Sequence, residues 1–552
     1  MKKLTNIFIL FFLVVVGYFI RITFLDKPEG LWNDEYIGWW IASTDLKDGL
    51  MHKIFSNCHM PLYYFFLKGW MFLFGNEDLV LRFSSVILGC LNIISMYFLG
   101  KTLKDKNCGL LCALFTTFSS FAIYFSQELR PYSLIFLISI FVAIFFIKSI
   151  RNLNKSNLFF YVFFNFLLLI THTISFVYVF FNLVIFSVII YKNNPKIKTK
   201  ICSIYIVLFL LFLPLLPFLI NVLSRETLSQ NWGEFTISKI IFCYIDYFSP
   251  ILTNITNSPV NLINFIKHQN IINSFVYILI PTTIAIISIT KAIMQKNKEL
   301  NALALNTLLY FIVLIIAAIM GKLILSTKYS IEIFPSLILL FCSGISSFSP
   351  KLNKILISIY FLISSFFVFT NPEAPQLKNR QEGHKTPVIL LNNANFKEED
   401  YIISLYHQMF RYEKYLKFKP KNVINIDKNN IGTYIVEKNY NSSNLAKEGK
   451  IRLHNNFQFI NDNDIDKNFD LIFEKIPKNK TIHLIIPAQV AFFSSNDLIR
   501  IANDKKEYER TQIIFLAFSY AKIKLINSAS KYCNYIKMSV HEPWYVLTFK
   551  KK

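Results

Sequence analysis

The sequence has no CxxC pair, no internal repeat, no low-complexity tract and very little arginine. Its eight cysteines (Cys58, Cys90, Cys108, Cys112, Cys202, Cys243, Cys342 and Cys533) lie mostly within apolar runs. They read as packing residues, and no disulfide framework is implied. A cleavage site is also missing. The first apolar run follows Lys2 and Lys3 as in a signal peptide, but its core is too long and no small-residue site follows, so a retained span is expected. Arginine numbers 10 against 48 lysines. In so lysine-biased a chain, an arginine suggests a need for planar, bidentate contact with phosphate or carboxylate.

What is abundant is hydrocarbon. Hydrophobic residues make up 54% of the 552, with 57 Phe and 28 Tyr against 15 Gly, and the mean hydropathy is +0.42. These values exclude an ordinary soluble protein. Runs of roughly 20 apolar residues match a hydrocarbon core crossed as helix. Eleven are expected to span: 4–25, 81–100, 108–125, 132–148, 157–170, 175–191, 201–223, 272–290, 303–325, 331–348 and 353–370. The run 60–75, interrupted by Lys68, reads as an interfacial or re-entrant helix. The formal charge of +24 invites a nucleic-acid partner, but its distribution argues against one. With the N-terminus cytoplasmic, lysines such as Lys101, Lys104, Lys106, Lys192, Lys196, Lys291 and Lys351 fall in inside loops. That is the bias of membrane topology, so no nucleic acid is expected. The loops 26–80, 126–131, 171–174, 224–271 and 326–330, and everything beyond 371, then lie outside.

The expected fold is a polytopic α-helical membrane protein of about eleven or more spans with a C-terminal extracytoplasmic α/β domain. The domains are 1–370 and 371–552, joined by the polar linker NPEAPQLKNR. In the tail PVILL (387–391), YIISLY (401–406), NVINI (422–426), TYIVE (433–437), IHLIIP (482–487) and WYVLTFK (544–550) read as strands. HQMFRYEKYL and SNDLIRIANDKKEYER read as helices.

Residues 1–370 contain fifteen acidic side chains, eight of them in the first outer loop. Asp45 and Asp48 fit the solvated face of an amphipathic helix over about 34–50, with Trp39 and Trp40 at headgroup level. Asp34 and Glu35, in LWNDEYIGWW, stand at the membrane boundary, where carboxylates are costly unless they serve a cavity. Helix capping by Asp34 is the structural alternative. His59, in NCHMPLYYFF, is one candidate metal ligand, and one ligand is not a site. The short turn in IYFSQELRPYSL concentrates Gln127, Glu128 and Arg130, for which a Glu128–Arg130 pair capping two helix ends is the alternative. His172 and the pair Lys328-Tyr329 occupy two further short turns on the same side; a polar turn residue and a snorkelling lysine are the plain readings.

Taken in order, a span, Asp-Glu among aromatics, H-x-P-L-Y-Y and then S-Q-E-x-R-x-Y resemble the membrane glycosyltransferases of the GT-C class. The resemblance is to the bacterial dolichyl-phosphate-mannose–protein-mannosyltransferase-like family, which includes the lipid A aminoarabinose transferases. It runs over about 25–190, best at 82–134, and more weakly over 326–340. The resemblance implies a polyprenyl-phosphate sugar as donor and transfer outside the membrane with inversion, in a bacterial inner membrane. The acceptor would be a glycan, lipid or protein. It implies Asp34 as general base, with Glu35 the neighbouring catalytic acidic position. His59 would bind substrate phosphate or a divalent metal ion. Tyr63, Gln127, Glu128, Arg130, Tyr132, His172, Lys328 and Tyr329 would be substrate contacts. Two departures are visible: Lys328-Tyr329 replaces the usual Arg-Tyr, and Met60-Pro61 replaces two prolines.

A transporter or flippase of lipid-linked saccharides is the alternative, but the chain has no halved pattern and its polar residues collect in turns. An O-antigen polymerase or ligase would carry an arginine-rich large loop, whereas 224–271 holds Arg225 alone. A membrane-anchored sensor would need a ligand site in the tail, and none is evident.

Overall fold

The computed structural model describes residues 2–26, 30–47, 49–56, 60–193, 206–208, 210–213, 216, 237–252, 271–320, 325–371, 386–405, 414–415, 421–426, 450–451, 460–461, 470–487, 525–541 and 544–552. The chain divides into two compact units, 1–27 with 37–379 and 28–36 with 380–552.

The first unit is helical. Its long apolar helices are α1 (Lys2–Ile22), α5 (Asp78–Leu103), α8 (Tyr132–Arg151), α10 (Ser175–Asn193), α12 (Ile280–Met294, extended back to Ile272), α13 (Lys298–Ile319), α14 (Phe334–Ile345, with the preceding turn Thr327–Ile333) and α15 (Pro350–Thr370). Among the described residues these eight helices are long and apolar enough to cross a membrane, or nine with the bent pair α6 (Lys106–Phe118) and α7 (Ser120–Gln127). The helix α9 (Lys155–Leu169) is apolar but short. The chain is thus a polytopic α-helical membrane protein, as expected. The expected run 201–223 falls mostly outside the described residues.

Small residues bring the spans together. A Cβ on Gly109 would lie 2.5 Å from the Tyr97 carbonyl oxygen, and one on Gly100 would lie 2.8 Å from that of Cys108, so α5 and α6 meet backbone to backbone. At Gly344 of α14 a Cβ would sit 1.7 Å from the Ser288 carbonyl oxygen of α12. The α6–α7 pair bends by 59° at Ser119, whose side chain caps α7 by accepting the Ala122 N–H. The fully buried Arg21 takes the carbonyls freed at the break, donating to Thr116 O at 2.9 Å and Thr117 O at 3.4 Å. Its Nε also donates to Ser126 Oγ at 3.1 Å.

The expected amphipathic helix over 34–50 is in fact two helices, α2 (Asn33–Ser43) and α3 (Leu50–Ser56). Thr44 ends α2, its hydroxyl donating back to Trp40 O at 3.0 Å. Asp45 therefore lies in the connecting turn, where it pairs with Lys68 at 3.1 Å. That pair, with a further bond from Lys68 to Thr44 O at 2.9 Å, accounts for a lysine inside the apolar helix α4 (Pro61–Phe74).

The second unit is built on a five-stranded sheet ordered β2-β1-β5-β7-β6. β1 (Tyr401–Leu405) pairs in parallel with β2 (Asn422–Ile426) and β5 (Thr481–Pro487). The closing strand β7 (Trp544–Lys551) runs antiparallel to β5 and to β6 (Cys533–His541). A separate ribbon pairs β3 (Lys450–Ile451) with β4 (Ile460–Asn461). PVILL, expected as a strand, is instead the helix α16 (Thr386–Asn393). Proline suits the first helical turn, and so short an apolar run does not separate strand from helix by period. Val388, Leu390 and Leu391 of α16 pack on Ile402, Ile485 and Val546 of the sheet. The expected strand TYIVE and both expected tail helices lie outside the described residues, apart from the turn residues Lys414 and Tyr415. Leu31 N–H donates to the Tyr415 hydroxyl at 2.7 Å, one link that ties segment 28–36 to this unit.

One buried histidine gives this unit a pH dependence. His483 on β5 lies 3.1 Å from Asp400 Oδ2 through Nε2 and 3.1 Å from Thr548 Oγ1 through Nδ1. Burial pulls its pKa below the usual value, with Asp400 opposing. A native-state pKa lowered in this way means the unfolded chain takes up the proton more readily. Stability is therefore complete above the unfolded value of about 6.5 and falls as pH drops through the window below it. Amide protection in β1, β5 and β7, taken relative to the intrinsic exchange rate at each pH, is expected to fall as pH drops below about 6.5, and His483→Gln should flatten that change.

Candidate active site

Three short connections meet at one end of the helical unit. The turn between α7 and α8 ends at Tyr132, the turn between α9 and α10 carries His172, and the 3₁₀ turn Thr327–Ile333 carries Lys328 and Tyr329. The His172 ring lies 6.5 Å from that of Tyr132, edge on, and 6.3 Å from that of Tyr329, nearly parallel. Arg130 sits over the Tyr132 ring at 5.9 Å and Lys328 over the Tyr329 ring at 5.1 Å. Both cations, with Tyr329 and Glu128, lie within electrostatic reach of the Tyr132 hydroxyl. Residues separated by up to two hundred positions thus form one basic, aromatic cluster.

The backbone beneath the cluster is held firmly. The Glu128 carbonyl accepts from Ser85 Oγ at 2.7 Å and from the Arg130 N–H at 2.8 Å, and the Glu128 side chain is buried. At Gly38 of α2 a Cβ would stand 3.7 Å from the Leu129 carbonyl oxygen, so α2 packs on the same turn. Leu62 N–H, in the first turn of α4, donates to Ile170 O at 3.0 Å, two residues before His172. Tyr63 of α4 is buried edge on to Tyr64 at 5.5 Å. His59 lies outside the described residues.

Two carboxylates in the site were not singled out in the sequence. Glu332 is wholly buried and accepts from Ser175 Oγ at 2.7 Å and the Tyr310 hydroxyl at 3.0 Å, with His172 Nδ1 at 3.3 Å. Asp246, on α11 (Ile237–Phe248), is also wholly buried and accepts from Thr327 Oγ1 at 2.7 Å. They grip the Lys328-Tyr329 turn at its two ends, and the single Tyr310 hydroxyl proton is shared between Glu332 Oε2 at 3.0 Å and Tyr329 O at 2.9 Å. The signal was present for Glu332: a carboxylate four residues after Lys328 in an apolar stretch is costly without a purpose.

Gln127 is committed elsewhere. Its Nε2 donates to Arg21 O at 3.2 Å and Thr23 O at 3.1 Å, capping the C-terminal end of α1. Gln127→Leu is expected to cost about 1–3 kcal/mol of stability. A thermal melt in detergent would reveal the loss.

The Asp34–Glu35 pair lies in the first turn of α2. The buried Glu35 reaches back, Oε2 accepting the Trp32 N–H at 3.3 Å, which is the return half of a capping box. One amide at the start of α2, that of Trp32, is thus satisfied by Glu35. Asp34 is half-buried. Among the described residues, no group of three or more His, Cys, Asp or Glu side chains is placed to hold a metal ion.

The long apolar helices and the five-stranded sheet give the chain a fold that it shares with solved polytopic membrane proteins. Residues 58–220 match the family model of dolichyl-phosphate-mannose-protein mannosyltransferase. The structure is similar to ArnT from Cupriavidus metallidurans in the apo state, with a TM-score of 0.55, 10% identity, and coverage of 99% of this chain and 98% of that one. It is similar to the same protein bound to undecaprenyl phosphate, at a TM-score of 0.51, 10% identity, and coverage of 98% and 97%. It also resembles the Archaeoglobus fulgidus oligosaccharyltransferase in the apo form, at a TM-score of 0.51, 11% identity, and coverage of 97% of this chain and 73% of that one. No curated protein matches significantly.

Proposed function

We propose that this chain is a glycosyltransferase that moves a sugar from a polyprenyl-phosphate donor to an acceptor hydroxyl at the outer face of a bacterial inner membrane, with inversion. In this reading the N-terminus is cytoplasmic and the C-terminal domain lies outside. The observation that carries it is the cluster of Arg130, Lys328, Tyr132, Tyr329 and His172 at one end of the spans. A basic, aromatic patch at the end of apolar helices suits a lipid phosphate, and ArnT bound to undecaprenyl phosphate shares this fold.

The chemistry needs few groups. The acceptor hydroxyl attacks the anomeric carbon and gives its proton to the Asp34 carboxylate. As that C–O bond forms, the bond to the phosphate oxygen breaks, and polyprenyl phosphate leaves with the electron pair. The leaving phosphate is a weak base and needs no proton, only charge stabilisation, which fixed cations supply strongly in a dry site. Arg130 and Lys328 fill that role. Glu35 holds the helix turn that carries Asp34. A divalent ion at His59 would add to the same charge term.

The test uses purified protein in vesicles with a panel of polyprenyl-phosphate sugars. Consumption of lipid-linked sugar with release of free polyprenyl phosphate is expected. Movement of the intact donor between leaflets with no bond cleavage would replace this reading with that of a transporter.

A further inference from the structure

Glu332 meets three side chains, Ser175, Tyr310 and His172, yet nothing in the proposed reaction uses it. We infer that Glu332 is a positioning residue that fixes His172 as a third anion-binding group beside Arg130 and Lys328. This rests on the proposed binding of a lipid phosphate at that cluster.

The argument begins with the acceptor capacity of the carboxylate. An ionised Glu only accepts hydrogen bonds. With Ser175 Oγ and the Tyr310 hydroxyl as donors, the contact at 3.3 Å requires His172 Nδ1 to carry its proton. That contact sets the ring orientation, as a carboxylate does for a metal-bound imidazole. The two nitrogens lie on opposite edges of the ring, so the edge with Nε2 faces away from Glu332. The Glu332 side chain is 0% exposed and that of His172 is 16% exposed, so the carboxylate is closed off while part of the histidine side chain stays accessible. That ring lies between Tyr132 and Tyr329, the two rings that carry Arg130 and Lys328.

A phosphate oxygen accepts hydrogen bonds, so it engages Nε2 only when that nitrogen also bears a proton. His172 then stands as imidazolium between two anions, the buried Glu332 and the ligand. Tyr310 couples the same carboxylate to the neighbouring backbone, since its hydroxyl also reaches Tyr329 O at 2.9 Å. Glu332 thereby controls both the imidazole and the turn bearing Lys328.

The experiment measures binding of undecaprenyl phosphate to the full-length protein, wild type, Glu332→Gln, His172→Gln and the double variant, with Arg130→Met as control. Loss of one charge-assisted bond is expected to weaken binding about 10- to 100-fold in Glu332→Gln. The effects of Glu332→Gln and His172→Gln should not add, because one acts through the other. Glu332→Asp should recover part of the affinity. Turnover at saturating donor should fall much less than affinity, a split that general loosening would not produce. Additive losses, or wild-type binding by Glu332→Gln alongside weakened Arg130→Met, would overturn the inference and leave the phosphate site standing. Failure of the wild type to bind the lipid would remove both. If Glu332→Gln does not fold, Ser175→Ala with Tyr310→Phe strips two donors from the carboxylate, and Glu332→Asp tests its reach. Unchanged affinity in both would sink the inference.

Discussion

Replacing Asp34 with asparagine is expected to lower glycosyl transfer about 100- to 10,000-fold, the usual worth of a positioned general base. The fold should survive. Asparagine is nearly isosteric and is tolerated at the start of a helix as well as aspartate is. One amide at that helix start is satisfied by Glu35, whose Oε2 accepts from Trp32. Donor affinity should also hold, because the cationic cluster is untouched. Glu35→Gln provides the contrast. It keeps an acceptor for the Trp32 N–H and should cost less than about tenfold in rate with a modest loss of stability. Single-turnover transfer from a labelled polyprenyl-phosphate sugar, read beside thermal unfolding, separates the cases. A dead Glu35→Gln with an active Asp34→Asn would move the base one residue along the helix.

The arginines show how far the sequence could be read. Scarcity in a lysine-rich chain suggested contacts with phosphate or carboxylate, and for Arg130 that expectation carries into the proposed site. Arg21 uses the same planar fork on backbone carbonyls instead, while Arg151 does both, pairing with the Glu299 carboxylate at 2.8 Å and donating to carbonyls. Arg21 takes Thr116 O and Thr117 O where α6 breaks, and Arg151 takes Thr102 O at 2.6 Å and Leu103 O at 2.8 Å at the end of α5. A helix end deprived of water needs donors, and a guanidinium offers several in one plane. Composition reveals that such a residue is retained for a reason, but only the fold says which carbonyls it meets.

The spans were legible because hydrophobic length is a local property. The bend at Ser119 was not, since the residue that satisfies it is Arg21, 95 positions away from Thr116. The same applies to the site. Arg130, His172 and Lys328 could be named from their turns, but their meeting around two tyrosines depends on how three helix pairs pack. Glu332 lies only four residues after Lys328 and was not legible as a site residue, because its partners, Ser175 and Tyr310, come from α10 and α13. In the tail, β6 was missed for a different reason. It is an edge strand with a bulge between Tyr535 and Lys537 and exposed apolar residues, so its alternation is irregular.

Arg130 and Lys328 should not be equivalent, and their difference is the second large effect expected. If both stabilise the leaving phosphate, Arg130→Met should reduce turnover about 100- to 1,000-fold, comparable to the loss of an oxyanion donor. Arg130→Lys keeps the charge but not the fork, and a bidentate contact reduced to a point charge should cost about tenfold. Lys328 presents the reverse case. The related family usually places arginine there, and the turn is held by Asp246 through Thr327 and by Glu332 beyond Tyr329, so the longer fork meets a fixed backbone. Lys328→Arg should therefore retain activity or raise it, while Lys328→Met should lose about as much as Arg130→Met. The exchange variant, Arg130→Lys with Lys328→Arg, then decides whether the fork is needed at a particular place. Recovery to near wild-type turnover would mean one bidentate contact suffices at either position. Failure to recover would mean that the phosphate is gripped from the Arg130 side, where the turn between α7 and α8 is braced by Ser85, and that Lys328 contributes charge alone.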